Sequence, residues 1–335
     1  MMSQNKKCVL ILPYFGKFNN YFPLFLKSCE ANSMYEWIIF TDCKNTYDYP
    51  QNVHVIYTTL TEIKNIAERK FGFSVSMETP YKLCDYKPSY GFLFEEYIKD
   101  YEYWGHCDCD LIFGNLDEIL TPLLEKGYDK IFAAGHLTIY KNNFENNRLF
   151  MKAYKGELFY KEAFKTDEIY AFDEDCIGDI NPNRKNIHTI FLNEKAKIYS
   201  IDLSMNASTT SGKFVNEYYD DKRRIFIKEK YVPRRYFWNN GNLISMEWNN
   251  NKKSVVKKNF LYMHLQMRKM RIKVDAGKSD CFQIYPDRFA SEKNIPSNKK
   301  EMKLASIKRT YFYWIDVYIK KLNKKIIKLV KIHRG

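Results

Sequence analysis

Asp108 and Asp110 stand two residues apart in YWGHCDCDLIFGN, residues 103–115, among aromatic, aliphatic and thiol side chains. Two unpaired carboxylates in an apolar setting are costly, and a neutralising cation is the direct remedy. A hard divalent ion fits: magnesium or manganese, held by one or two carboxylates with water and phosphate completing its shell. In a strand, residues i and i+2 point to one face about 6.6 Å apart. The spacing therefore predicts both acids on one face, with Cys107 and Cys109 packed behind them. The two need not play equal parts, since one Asp can bind the metal while the other acts through water or a ribose hydroxyl. A D-x-D triplet also arises by chance in a chain this long, and a pair of solvated or capping acids is the competing reading. The strand-like surroundings, and a Gly114-Asn115 turn leading into a helical pattern, favour a metal and diphosphate site.

The first 140 residues contain the elements that must position this pair. Short apolar runs, CVLILPY (8–14), EWIIFTD (36–42), VHVIYTT (53–59), YWGHCDCDLIF (103–113) and KIFAAG (130–135), alternate with helical patterns at 21–31, 61–71, 90–101 and 116–127. That alternation predicts βαβ units and a largely parallel sheet. Open sheets of this kind bind ligands beyond the carboxyl ends of their strands. LPYFG (12–16), TDCKN (41–45) and the segment around Asp108 all fall there. Residues 141–259 are less periodic, apart from a hairpin expected in YFWNNGNLISMEW (236–248) around Asn240-Gly241. NFLYMHLQMRKM (259–270) is an apolar run that closes in a basic cluster.

The bulk composition narrows the classes. A chain of 335 residues with 45% hydrophobic and 17% aromatic residues is globular. Eight cysteines without a CxxC pair suit a reduced, cytosolic compartment. CVLILPYF lacks the cleavage site of a signal peptide, and no run reaches the length of a membrane span. The formal charge of +14 suggests a nucleic-acid-binding protein, but residues 291–335 hold 13 Lys or Arg against three acids and so carry +10 of it. Nucleic-acid binding by the globular part would instead interleave basic and aromatic residues over it.

LPYFG, IIFTDC, KLCDYKPSYGFLFEEYIKDYEYWGHCDCDLIFGNL and YMHLQMRKM together resemble the GT-A fold of nucleotide-sugar-dependent glycosyltransferases, of the bacterial capsule and lipopolysaccharide type. The resemblance covers about residues 6–270 and is densest from Lys82 to Leu116. It implies a Rossmann-like α/β fold, a mixed, largely parallel sheet flanked by helices. The implied catalytic domain spans 1–290, with a nucleotide-binding half at about 1–140 and an acceptor half at about 141–290. Asp108 and Asp110 would be the DXD motif holding Mn²⁺ or Mg²⁺ on the diphosphate of a UDP-sugar, with His264 as a third ligand. Asp85 and Lys87 would contact ribose, phosphate or base, Pro13, Tyr14, Phe15, Thr41 and Asp42 would form the nucleoside pocket, and Arg268 or Lys269 would neutralise the departing phosphate. GHLTIYKNN (135–143) is similar to the loop that flanks donor sugar and acceptor in such enzymes. An inverting transferase needs a general base, for which FDEDC (172–176) offers Asp173 or Glu174, whereas a retaining one need not have one. Each assignment has a structural competitor: a solvated lysine for Lys87, a core histidine for His264, and acids at a helix N-terminus for FDEDC.

From Tyr311 to Leu329, apolar residues at 311, 315, 318, 322, 326 and 329 share one helical stripe opposite lysines at 320, 321, 324, 328 and 331. This predicts an amphipathic C-terminal helix within 291–335, either anchored on an anionic membrane surface or docked on the globular part. The resulting expectation is a cytoplasmic enzyme at the inner face of the membrane. It would transfer a hexose or N-acetylhexosamine from a UDP-sugar to a glycan or lipid-linked acceptor, without a nucleic-acid partner. A sugar nucleotidyltransferase or metal-dependent phosphodiesterase shares the need for metal beside a diphosphate; against the first, the chain has no Gly-rich, Lys-containing phosphate loop near its start.

Overall fold

The computed structural model describes residues 7–176 and 184–304, together with Ile315, Tyr318, Ile319 and Leu322. Strands β1 (Cys8–Pro13), β2 (Tyr35–Thr41), β3 (Val53–Tyr57) and β4 (Tyr103–Cys107) pair in parallel in the order β3-β2-β1-β4. Alternate residues of β1 feed two cores: Cys8, Leu10 and Leu12 pack with Trp37 and Phe113, while Val9 and Ile11 pack with Phe40 and Trp104. Burial on both faces explains why these strands read as nearly continuous apolar runs.

The chain order reverses at β1, with β2 on one side and β4 on the other, so the crevice lies beyond Pro13 and Cys107. Helix α1 (Phe22–Glu30) covers one face, burying Phe22, Phe25 and Leu26. Helix α2 (Leu60–Phe71) lies on the other; it opens with a Thr59–Glu62 capping box and closes at Gly72.

The run at 103–113 is not one strand. After Cys107 the chain leaves the main sheet, turns through 108–110, and resumes as β5 (Leu111–Phe113) in a different sheet. The expected helices at 90–101 and 116–127 are also interrupted, the first at Phe94 (φ −113°, ψ 28°) and the second just before the Thr121-Pro122 start of a new turn. Strands β6 (Lys130–Ile131), β7 (Leu137–Lys141) and β8 (Ile198–Tyr199) complete a seven-stranded mixed sheet, with β7 antiparallel to both β4 and β6.

The weakly periodic middle of the chain builds further β-structure. Here lie β9 (Ser204–Asn206), the hairpin β10 (Glu217–Asp220) and β11 (Ile225–Lys228), then β12 (Arg235–Asn239), β13 (Asn242–Asn249), β14 (Ser254–Phe260) and β15 (Tyr262–His264). After β16 (Arg271–Lys273), β17 (Cys281–Tyr285) and β18 (Arg288–Ser291), six of these strands form a sheet ordered β14-β13-β12-β17-β18-β16. The predicted hairpin is β12–β13, turning at Asn240 (φ 46°) and Gly241 (φ 81°), both left-handed as a two-residue hairpin turn requires. The six-stranded sheet and the main sheet meet across β5, where the Trp238 indole donates to the Phe113 carbonyl at 2.9 Å. Between them runs a small sheet in which β15 pairs antiparallel with β5 and parallel with β9.

Among the described residues no helix is long and apolar enough to cross a membrane. The amphipathic helix expected over 311–329 lies outside the described residues, apart from the four isolated positions named above.

Candidate active site

Strand alternation does not bring Asp108 and Asp110 together. They occupy the turn that carries the chain from β4 to β5, where the backbone of Asp108 donates to His136 O at 3.1 Å. Asp108 is partly open, with 32% of its side chain exposed, whereas Asp110 is almost enclosed at 4%. Cys107 and Cys109 do pack into the core behind them, as expected.

β15 brings His264 to this turn, because its antiparallel register sets His264 opposite Leu111. His264 Nε2 lies 3.4 Å from Asp110 Oδ1 and 3.9 Å from Asp108 Oδ2. On its other side Nδ1 donates to Asn206 Oδ1 at 3.0 Å, which fixes the tautomer and leaves Nε2 to the carboxylates. The chain then folds back over Asp110 through Gln266 and Met267, both left-handed, and the Met267 amide donates to Asp110 Oδ2. Burial raises the Asp110 pKa, but His264 and that amide outweigh it and hold the carboxyl below its ordinary range. Burial likewise lowers the His264 pKa, yet facing Asp110 and Asp108 raises it overall.

One ligand atom from each of Asp108, Asp110 and His264 lies within 4.8 Å of the others. Two carboxylates and an oriented imidazole form a donor set that suits manganese or magnesium. A second trio at similar spacing, Cys84, Asp85 and Asp173, is not a comparable site. Its Asp85 is fully buried and accepts from Lys82 Nζ and from the amides of Tyr170 and Phe172, while the Cys84 thiol donates to Tyr81 O.

Lys87 joins the trio to the acidic loop. Its ammonium donates to Asp108 Oδ1 at 2.8 Å and to Gly135 O at 2.8 Å, and lies 3.2 Å from Asp173 Oδ2. Burial lowers its pKa, but Asp108 and Asp173 hold it well above the lysine norm. Burial pushes the Asp173 carboxyl up to about 7 despite Lys87, and it also raises Glu174. Glu174 is held beside the cleft by a long contact, 3.4 Å, from the Gly135 amide. A side chain at 135 would collide with this loop, since a Cβ there would lie 2.5 Å from Asp173 Oδ2. Asp173 and Glu174 therefore stand beside the cleft within the turn and bend at 172–174.

Residues 10–293 match a family described as a family of unknown function, DUF6625. The chain belongs to that family. No curated protein matches this DUF6625 sequence. Among solved structures, mouse xyloside xylosyltransferase 1 in its apo form aligns at 8% identity and a TM-score of 0.36, over 61% of this chain and 88% of its own. The galactosyltransferase LgtC, in complex with donor and acceptor sugar analogs, aligns at 8% identity and a TM-score of 0.31, over 60% and 77%. Likeness that slight assigns neither fold nor activity.

The remaining expected site residues in this DUF6625 member divide by placement. Pro13 ends β1 and Tyr14 follows it, its phenol pKa raised by burial and by nearby Cys109 and Asp110, which puts LPYFG beside the Asp turn. Asp42 is exposed and accepts from the Gly16 amide at 2.7 Å, joining the loops after β1 and β2. Phe15 and Thr41 are buried, and the Thr41 hydroxyl accepts from the Cys43 amide. Lys269 is exposed just beyond the turn over Asp110.

One expectation is corrected by burial and bonding. Asp85 lies in the core, its carboxylate spent on Lys82 and two amides, and so cannot face a ribose. Arg268, 5% exposed, donates to the carbonyls of Ser208, Ser211 and Pro286 and so braces those loops.

The sequence reading missed Asn206, which orients His264, and His136, whose ring centroid lies 4.4 Å from that of His264 while its Nδ1 pairs with the Tyr262 hydroxyl at 2.8 Å. GHLTIYKNN had marked the segment holding His136 without singling out the residue.

Proposed function

We propose that this chain is a divalent-metal-dependent glycosyltransferase of GT-A type. It takes a hexose or N-acetylhexosamine from a UDP-sugar and passes it to a glycan or lipid-linked acceptor in surface polysaccharide synthesis of the capsule or lipopolysaccharide kind. The observation that carries this reading is the meeting of Asp108, Asp110 and His264 within 4.8 Å, beyond the carboxyl ends of parallel strands.

Asp108, Asp110 and His264 would hold Mn²⁺ or Mg²⁺, and the bound ion supplies positive charge where the departing diphosphate becomes more negative. Lys87 adds a fixed cation beside Asp108 and orients Asp173. Asp173 and Glu174 both have raised carboxyl pKa values, a property suited to accepting the proton of an acceptor hydroxyl near neutral pH. In a retaining enzyme the same pair would instead orient donor and acceptor. Tyr14, beside the Asp turn, and Asp42 suit a nucleoside pocket after β1 and β2. The basic 291–335 region suits an anionic inner membrane surface, which would bring the enzyme to a lipid-linked acceptor.

A panel of UDP-sugars with manganese or magnesium, assayed for donor cleavage with and without acceptor glycans, tests the reading, with Asp110→Ala as control. Metal-dependent cleavage of at least one donor, abolished in Asp110→Ala, is expected. No cleavage with any metal, or equal activity in the variant, would overturn it. Tighter manganese-dependent binding of single-stranded DNA than of UDP would favour a nucleic-acid role instead.

A further inference from the structure

The acidic loop is gripped from two sides, and only one grip belongs to the cleft. Asp173 meets Lys87 on the cleft side. Asp175, two residues on and fully buried, meets Arg224 on the far side: Nε donates to Asp175 Oδ2 at 2.8 Å and Nη2 to Asp175 Oδ1 at 2.6 Å. The same Nη2 reaches Thr189 Oγ1 at 2.7 Å, the Tyr219 hydroxyl donates to Asp175 Oδ2, and Asn186 Nδ2 donates to Asp175 Oδ1 at 3.0 Å. The Asp175 amide donates to Ala133 O at 3.0 Å, two residues before Gly135. Burial opposes the charge on Asp175, but Arg224, His188 and Tyr219 keep its pKa below the ordinary value. A bidentate guanidinium–carboxylate pair is a directional bond as well as a strong one.

Arg224 and Tyr219 both belong to the β10–β11 hairpin: Tyr219 lies on β10, and Arg224 ends the connecting turn in a left-handed conformation (φ 57°). The root of that hairpin is built onto the metal-ligand layer. The Asn206 amide donates to Asn216 Oδ1 at 2.9 Å, Asn206 Nδ2 donates to Glu217 O at 2.9 Å, and Ala207 bridges to Asn216. Asn206 is also the residue that orients His264. The hairpin is therefore a strut, with its root on the strand that fixes one metal ligand and its tip on the loop that carries Asp173 and Glu174.

We infer that Arg224 is a positioning residue. Through Asp175 it sets where the Asp173–Glu174 carboxyls stand relative to the Asp108–Asp110–His264 trio, without touching the reacting groups. The role in turnover rests on the transferase reading above; the role in loop placement does not.

The test compares full-length wild type with Arg224→Gln, Arg224→Lys and Tyr219→Phe, by amide hydrogen exchange and by manganese binding without any donor. In Arg224→Gln, exchange over 172–176 is expected to speed up about 10- to 100-fold, as the loss of charge-assisted bonds predicts. Exchange over 103–113 and 262–266, and manganese affinity, should stay within about twofold, because the root contacts are intact. Arg224→Lys should fall between, since one ammonium cannot reproduce the fork. Tyr219→Phe, a milder change, gives the same local pattern at smaller amplitude and serves if the arginine variants fail to fold. With an active donor, Arg224→Gln should lower kcat about 10- to 100-fold at nearly constant KM, the cost of a misplaced acid.

Unchanged exchange at 172–176, or a rise spread evenly over the chain, would overturn the inference, as would a donor KM that rises as much as kcat falls. If wild type cleaves no donor, the transferase reading fails, while the exchange and manganese data still decide the placement role.

Discussion

Replacing Lys87 by methionine tests the electrostatic logic of the cleft without needing a substrate. The ammonium sits 2.8 Å from Asp108 and 3.2 Å from Asp173, with only 12% of the lysine side chain exposed. At those separations and an effective dielectric near 20, each attraction is about 5–6 kcal/mol. Desolvation of the charges offsets much of this, and removing one partner of a buried ion pair costs about 3–5 kcal/mol. Asp108 is a third exposed, which places the expected loss of unfolding free energy for Lys87→Met at the lower end of that range, about 3 kcal/mol. Urea titration of both proteins in chelator measures it. Repeating the titration in manganese supplies the sharper check, because a divalent ion beside Asp108 replaces the missing charge and no longer competes with the lysine. Saturation at a hundred times Kd stabilises a folded protein by about 2.7 kcal/mol, and at equal free manganese the gain should be larger in Lys87→Met than in wild type. A loss below about 1 kcal/mol, the value of a surface pair, or equal manganese gains in the two proteins, would refute the reasoning.

Four further outcomes are expected. Asn206→Leu removes the acceptor that orients His264, and manganese titration should show affinity weakened about 10- to 100-fold with the fold retained by circular dichroism. Gly135→Ala places a Cβ against Asp173 and should depress turnover while manganese affinity stays near wild type, so a fully active variant would contradict the close approach. Burial lowers the Lys130 pKa to about 7, so the unfolded chain binds the extra proton above that pH. Its contribution to stability is thus largest above the unfolded lysine pKa and is lost as pH falls to about 7, at up to about 1.4 kcal/mol per pH unit. Urea midpoints of wild type minus Lys130→Met between pH 7 and 9 should rise accordingly, and a flat difference would refute it. Deleting residues 307–335 should abolish binding to anionic liposomes, and unchanged binding would remove the membrane anchor from the proposal.

What the sequence made legible follows from how each residue is buried. β1, β2 and β4 were readable because they are covered on both faces and so remain largely apolar. The break after Cys107 was not readable, because the turn at 108–110 has no Gly or Pro and keeps apolar neighbours; the acids were found, but on the wrong geometric ground. The second sheet was almost invisible apart from its Asn-Gly turn. Its edge strand β14, SVVKKNF, is largely exposed and rich in lysine, and its core face is completed by residues far away in sequence, such as Tyr21, Leu24 and Ile112. Asp85 shows the same limit at one residue: nothing local tells that its carboxylate is consumed by amides at 170 and 172. His264 was reached by resemblance, whereas Asn206, one of several polar residues in an unpatterned stretch, carried no signal before the pairing of β9 with β15 was known.

The pairing of β5 with β15 also bears on how the protein matures. Its register joins Leu111 to His264, so the Asp108–Asp110–His264 trio closes only when two segments about 150 residues apart meet. During synthesis, the last strand of the main sheet before residue 142 emerges about 120 residues ahead of His264, an interval of about 6–25 s at ordinary elongation rates. Over that interval a nascent chain carries the two acids without the imidazole that completes the trio. The finished trio would thus mark a chain synthesised at least through β15, and products truncated before it would lack His264.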